Sequence, residues 1–262
     1  MSATIEVTDQ MNRKVIVASS PKRIISLVPS QTELLYHLGL RERVVGVTKF
    51  CIYPKAAREE KTIVGGTKNV RLEKLLSLEP DLIIGNKEEN TEAIITQLQN
   101  YSPVWMSDIS TLDDALNMIT QLGLLLGVHN KARTLVSGIT KEFQNFHRPI
   151  RSKVLYFIWK NPLMVAGTNT FIHSMLEKMS HINVVAPLER YPTLDEDSLK
   201  NLDPDVVMLS SEPYPFKEKH KSYFQKLFPN AVINLVNGEY FSWYGSRLID
   251  APNYFKTLNF KV

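Results

Sequence analysis

"EKLLSLEPDLII" occupies residues 73–84, and "DSLKNLDPDVVM" repeats its plan at 197–208. Each copy has an acid, then leucines, a Pro-Asp pair and an unbroken apolar run. The leucines predict a short helix, Pro80 and Pro204 end it, and the runs after Asp81 and Asp205 read as buried strands. A unit that recurs about half a chain away indicates duplication, and therefore two lobes of related design rather than a short-period solenoid.

Upstream of the first copy, "RIISLVPSQTELLYHLGL" (23–40) reads as a buried strand stopped by Pro29. Ser30 and Glu33 then have the spacing of a capping box that opens a helix. A looser echo of this strand, loop and helix is "KVLYFIWKNPLMVAGTNTFIHSMLEKM" (153–179). "RVVGVT" (43–48) and "TIVGG" (62–66) are two further strands, with "FCIYPKAAREEK" between them as a surface loop and Gly65-Gly66 as a strand-ending turn. "TEAIITQLQN", "PVWMS" and "LDDALNMITQLGLLLG" continue as helix, strand and helix. Alternation of this kind predicts an α/β fold, each lobe a mostly parallel sheet flanked by helices. Between the lobes, Ala132, Leu135, Val136, Ile139, Phe143 and Phe146 keep helical spacing until Pro149. The expected organisation is an N-terminal lobe over 1–127, one long rigid interdomain helix over 128–149, and a C-terminal lobe over 150–262, with a largely preformed cleft.

The 262 residues are 44% hydrophobic, enough for an ordinary globular core. No apolar stretch has the length of a membrane span, and Met1 to Ser20 lacks a secretory h-region, so either a cytoplasmic chain or a trimmed one is expected. The formal charge of +4 comes from 31 basic and 27 acidic residues that are interspersed, a poor footprint for nucleic acid. Cys51 is the single cysteine and is read as a small packing residue. The histidines stand apart, so no metal cage is expected. Nucleophile elbow, Walker loop and dinucleotide fingerprint are all missing. Acid pairs such as Asp113-Asp114 read as helix-dipole partners or solvated charges. A non-catalytic protein is the expectation.

Aromatic residues gather where strands end: Phe50 and Tyr53 after the second strand, Trp159 after the first strand of the second half, Tyr191, and Tyr240, Phe241, Trp243 and Tyr244 in one loop before Arg247. Ligands of open α/β sheets bind at the carboxyl ends of strands, so a planar, bulky ligand between aromatic faces is predicted. About half of these rings are expected to be core instead. Asn86, Lys87, Lys160 and Arg190 occupy comparable positions as polar anchors, and the helix start at Ser30 would offer its amides to an anionic group.

Taken together, "PKRIISLVPSQTELLYHLGL" (21–40), "VVGVTKFCIYP" (44–54), "VGGTKNVRLEKLLSLEPDLIIGNKEEN" (64–90), "VAGTNTFIHSMLEKMSHINVV" (165–185), "SLKNLDPDVVMLS" (198–210) and "YFSWYGSRLIDAP" (240–252) resemble the substrate-binding proteins of ABC importers for cobalamin, haem and ferric siderophores, the class with a single backbone helix. The cobalamin-binding branch is the most similar. The resemblance implies a monomer that captures a metal chelate, a cobalamin or an iron complex, needs no intrinsic cofactor, and works in the periplasm or at the cell surface. It implies ligand contacts from Phe50, Tyr53, Asn86, Trp159, Tyr191, Tyr240, Trp243 and Tyr244. It also implies that Glu73 and Asp197 dock to an ABC permease dimer, and the repeat independently puts an acid at both places. Two departures stand out: Asn86 where cobalamin binders tend to place Trp, and Asp197 where the family usually has Glu. Haem and ferric siderophores remain alternative ligands, and an intracellular enzyme or cofactor-handling protein on the same scaffold is the rival from another class.

Overall fold

A computed structural model describes residues 4–147, 151–258 and 260. The chain divides into two compact units. The first takes residues 1–109, 113–138 and 244–247, and the second takes 110–112, 139–243 and 248–262.

In the first unit the elements run β1 (Thr4–Thr8), β2 (Lys14–Ala18), β3 (Ile24–Ser26), α1 (Pro29–His37), β4 (Val44–Val47), α2 (Lys55–Glu60), β5 (Thr62–Ile63), α3 (Leu72–Leu76), β6 (Leu82–Asn86), α4 (Glu92–Gln99) and β7 (Val104–Ser107). Then come α5 (Leu112–Leu125) and α6 (His129–Asn145), the latter with Gly138 in the first unit and Ile139 in the second. The sheet order is β5-β4-β3-β6-β7, all parallel, with Ile24 level with Val44 on one side and Leu82 on the other. Starting in the middle and winding outward both ways puts the reversal of strand order between β3 and β6. Ile25, Leu27, Val64, Leu75, Ile83, Ile95 and Met106 form the core beneath it.

The second unit contains β8 (Lys153–Trp159), β9 (Met164–Val165), α7 (Phe171–Lys178), β10 (Ile182–Asn183), α8 (Glu196–Lys200), β11 (Val206–Ser210), α9 (Glu218–Leu227), β12 (Val232–Val236), α10 (Glu239–Ser242) and α11 (Ala251–Thr257). Its parallel order is β10-β8-β11-β12, and β9 adds an antiparallel partner to β8. Phe157 and Phe224, with ring centroids 4.7 Å apart, centre its core.

The repeat that divides the sequence has the same mechanical task in both units. Asp81 accepts hydrogen bonds from the backbone N–H of Lys22 (2.6 Å) and Arg23 (2.8 Å), and its own N–H donates to the Arg23 carbonyl. Asp205 likewise accepts from the Lys153 N–H at 2.6 Å and donates to the Lys153 carbonyl. Each Pro-Asp therefore fixes the entry of the central strand, β3 or β8, beside the strand that follows it.

Several local expectations need correction. The N-cap of α1 is Val28 and no side chain caps it, because Pro29 takes the first helical turn, where a missing N–H costs nothing. Ser30 and Glu33 thus form no capping box, and Glu33 serves elsewhere. The 50–61 loop ends in α2, whose Lys-Ala-Ala-Arg-Glu-Glu lacks an apolar stripe to announce it. An antiparallel hairpin, β1 with β2, precedes the first unit's sheet and is tied to β7 by Asp9, which accepts from the Met106 N–H and pairs with Arg13. The helix expected over 128–149 is observed as α6, which ends at Asn145, and Pro149, expected to stop it, lies outside the described residues.

Candidate functional site

The first unit builds its site from the loop after β4. Cys51 is fully buried, its Sγ 3.1 Å from the Thr32 hydroxyl and 3.3 Å from that of Thr48. Burial pushes its thiol pKa up, and the two hydroxyls only partly oppose this. Pinning the middle of the loop turns its flanks outward: Phe50 is 49% exposed and Tyr53 41%. Exposed rings at the carboxyl end of a strand are the kind of surface a planar ligand covers.

Tyr53 is not loose. The Arg247 guanidinium lies 4.7 Å from its ring centroid, and the same guanidinium forks onto Glu33 at 2.7 and 3.1 Å. Gly245 brings this segment against α1: a Cβ there would come within 2.6 Å of the Ser30 carbonyl oxygen. Ser30 is only 4% exposed, so the amides expected to face a ligand are largely covered.

Beside Phe50 a concavity of about 430 Å³ opens between the loops after β4 and β5. Lys49 and Phe50 line it from the first loop, and Gly65 to Asn69 with Arg71 from the second. The Gly65–Val70 hairpin is stiff: Gly66 N–H donates to the Asn69 carbonyl at 2.8 Å, and Asn90 donates its amide to the Thr67 carbonyl at 2.9 Å. Gly65 sits at φ +127, and a Cβ there would meet the Asn69 oxygen at 2.4 Å, so glycine is required.

Asn86 is 2% exposed and its amide is spent inside the protein. Its Nδ2 donates to the Ser107 hydroxyl at 3.0 Å, while its Oδ1 accepts from the N–H of Glu88 and Glu89. This holds the turn after β6, and through Asn90, which accepts from the Asn86 N–H, the concavity's second loop. Lys87 is exposed and paired with Asp108 at 2.6 Å.

In the second unit Trp159 ends β8 at 38% exposure, its indole N–H donating to the Asn161 carbonyl and its edge against Tyr214. Lys160 lies over the Tyr223 ring, whose phenol donates to Glu196 at 2.6 Å. Burial and the Glu196 charge push the Tyr223 pKa up to about 12. The Arg190 guanidinium stands 5.8 Å from the half-buried Tyr191 ring. Tyr240 stacks on Tyr254 at 4.3 Å. Trp243 and Tyr244 are 6% and 5% exposed, and the Trp243 indole donates to Glu212 at 3.0 Å. Phe50, Tyr53 and Trp159 are thus open rings, whereas Trp243 and Tyr244 are packed ones. Residue types alone did not single out Lys49, Lys68, Arg71 or Glu212. The Gly-Gly turn was visible, but its value as a platform depends on Asn90.

Glu73 stands exposed in the first turn of α3. Asp197 stands in α8, 92% exposed at its side chain and 3.0 Å from Lys200. The α8 N-cap is Asp195, which accepts from the Ser198 N–H. No group of His, Cys, Asp and Glu that could hold a metal ion occurs among the described residues, and no described helix is long and apolar enough to cross a membrane.

Comparison with known proteins gives these likenesses. The family model described as periplasmic binding protein matches residues 24–233. An ABC transporter substrate-binding lipoprotein of Bacillus subtilis, YvrC, is 27% identical over 216 residues, 78% of this chain and 68% of its own. The vitamin B12-binding protein of Pectobacterium carotovorum is 25% identical over 238 residues, covering 87% of this chain and 85% of that one. The petrobactin-binding protein YclQ of Bacillus subtilis has a TM-score of 0.84 at 14% identity, covering 98% of this chain and 100% of that structure, a likeness of fold alone.

Proposed function

Because the chain belongs to the periplasmic binding protein family, we propose that it captures a metal chelate, a cobalamin-like corrinoid foremost, and delivers it to an ABC importer. The observation that carries the reading is that each unit opens an aromatic face at the carboxyl end of a strand: Phe50 and Tyr53 after β4, Trp159 at the end of β8. Such faces suit a broad, partly planar ligand and need no metal-binding side chain when the metal arrives already chelated. The relative named for vitamin B12, similar along most of both chains, supports the corrinoid.

The protein acts by binding, outside the membrane, with α6 as the stiff connector of its lobes. Glu73 and Asp197, at matching places in the repeat, present the loaded protein to basic residues of a permease dimer, an attraction that salt weakens. Glu196 is engaged by Tyr223 and Asp197 by Lys200, with the Asp197 side chain 92% exposed. An iron chelate, haem or a ferric siderophore, is the second reading, favoured by the exposed phenol of Tyr53, a group iron accepts as ligand.

The test is a parallel titration with cyanocobalamin, haem and a ferric catecholate, followed by tryptophan fluorescence and absorbance. Saturable binding of cyanocobalamin at micromolar or tighter affinity is the expected result. Saturable binding of an iron chelate alone would replace the corrinoid, and binding of none would end the reading.

A further inference from the structure

We propose that Tyr223 is a positioning residue for docking: it holds Glu196, and through Glu196 the first turn of α8, so that Asp197 meets the permease from a fixed place. This rests on the binding-protein reading above. Three observations carry it.

The first is an asymmetry in the repeat. Glu73 and Asp197 are equivalent, but the residue before them is Leu72 in one copy and Glu196 in the other. The two consecutive acids of α8 then diverge: Glu196 accepts from the Tyr223 phenol at 2.6 Å, whereas the Asp197 side chain is 92% exposed. Lys200, 3.0 Å from Asp197, is itself exposed, and an (i, i+3) contact in water is weak enough for a permease cation to displace. An Asp carboxylate also stands one methylene closer to its backbone than a Glu carboxylate, so its reach depends more on where the helix is held. Glu196 has no counterpart in the first copy, and its bond to Tyr223 supplies that hold.

The second is the shortness of α8. It has five residues, and a helix of that length does not maintain itself. Leu199 is buried beneath it, and the Asp195 carboxylate accepts from the Ser198 N–H at 2.7 Å. Both contacts shape the turn, and the Glu196 bond ties it to a second helix, α9.

The third is the rigidity of the donor. Phe224 roots α9 in the core, fully buried with its ring centroid 4.7 Å from that of Phe157 in β8. Tyr223 therefore projects from a fixed backbone, and a tyrosine has only two side-chain torsions to order. Lys160 Nζ lies 5.1 Å from its ring centroid, a cation–π contact that restrains the ring further. A phenol pKa pushed up to about 12 keeps the proton available for donation at neutral pH. Hydroxyl-to-carboxylate bonds of this length are of the strong, charge-assisted kind.

The test compares Tyr223→Phe, Glu196→Gln, Glu196→Ala and Asp197→Ala in the full chain. The probe is whichever of cyanocobalamin, haem and a ferric catecholate the wild type binds. Affinity, thermal melting, amide hydrogen exchange over residues 196–201 and uptake by cells that depend on this protein and its permease are measured for each. Tyr223→Phe should keep its melting temperature and bind the chelate within about twofold of the wild type, while exchange over 196–201 quickens and uptake falls, each by about fivefold. Glu196→Gln still accepts from the phenol and should retain at least about half of the uptake, whereas Glu196→Ala should fall to the level of Tyr223→Phe. Combining Glu196→Ala with Tyr223→Phe should add no further loss.

A Tyr223→Phe protein with full uptake, or with unchanged exchange over 196–201, overturns the proposal. So does a loss of uptake that only follows a lower melting temperature or a weaker affinity, since that is a structural effect. If Glu196→Gln is as harmful as Glu196→Ala, the charge of Glu196 docks directly and Tyr223 does not position Asp197. Full uptake by Asp197→Ala removes the docking acid and the positioning role together, but leaves capture standing. Binding of none of the three chelates defeats the binding-protein reading itself.

Discussion

Glu33 and Arg247 lie 214 positions apart in sequence and form a forked ion pair, with contacts of 2.7 and 3.1 Å. Their side chains retain 22% and 12% exposure, so the pair is only partly screened. It fastens the 244–247 segment to α1 and supports the Tyr53 ring from behind. Arg247→Ala leaves a half-buried carboxylate without its partner and is expected to cost about 2 kcal/mol in urea unfolding. Arg247→Lys keeps the charge but loses the fork, and should recover less than half of that. An unchanged midpoint in both variants would show that the pair contributes nothing.

Trp159 and Trp243 are expected to behave oppositely. Trp159 is 38% exposed, so Trp159→Ala should leave the melting temperature within a few degrees and weaken chelate binding by about 1 kcal/mol, roughly fivefold. Trp243 is 6% exposed and its indole satisfies Glu212, so Trp243→Ala should cost about 3 kcal/mol of stability. Equilibrium unfolding and ligand titration of both variants check this, and a Trp159→Ala protein with full affinity removes that ring from the site.

His220 couples stability to pH. It is 7% exposed beside Tyr214 and Phe216, and its Nδ1 accepts from the Lys217 N–H at 2.9 Å. Burial, then the charges of Lys160, Lys219 and Lys217, hold its pKa below the ordinary 6.5. The unfolded chain therefore binds the proton first, and stability falls as pH drops from about 6.5 toward the lower folded value. Between pH 7 and pH 5 the melting temperature of His220→Gln should fall less than that of the wild type. Parallel slopes would show that His220 takes no part in the acid response.

The paired acids give a test of delivery that leaves capture intact. Glu73→Ala combined with Asp197→Ala removes exposed charges from α3 and α8, so folding and chelate affinity should remain within about twofold. Uptake by cells that depend on this protein and its permease should fall at least tenfold. Normal uptake would assign both acids to the dipoles of their short helices instead.

What could be read from the sequence was local. Leucines followed by Pro-Asp and an apolar run specify a helix, a stop and a strand within a dozen residues, so α3 with β6 and α8 with β11 were legible. The role of Asp81 and Asp205 as clasps was not, because their partners, Lys22 with Arg23 and Lys153, are more than fifty positions away. The same distance effect hid Arg247 behind Glu33, whose spacing from Ser30 imitates a capping box. In the site, the crowding of rings at strand ends was visible, but not which of them face water. Trp243 is drawn inward by Glu212 and Phe50 turned outward by the burial of Cys51, and both outcomes depend on three-dimensional neighbours. The β1–β2 hairpin alternates short polar and apolar residues too briefly to stand out.

The tether from Asn90 to Thr67 separates two kinds of selection on one short loop. Glycines and an asparagine maintain the backbone, while the side chains of Lys68 and Asn69 project from it exposed and carry no part of the core. Those two positions can drift through many residue types at little thermodynamic risk, while Gly65 and Asn90 cannot.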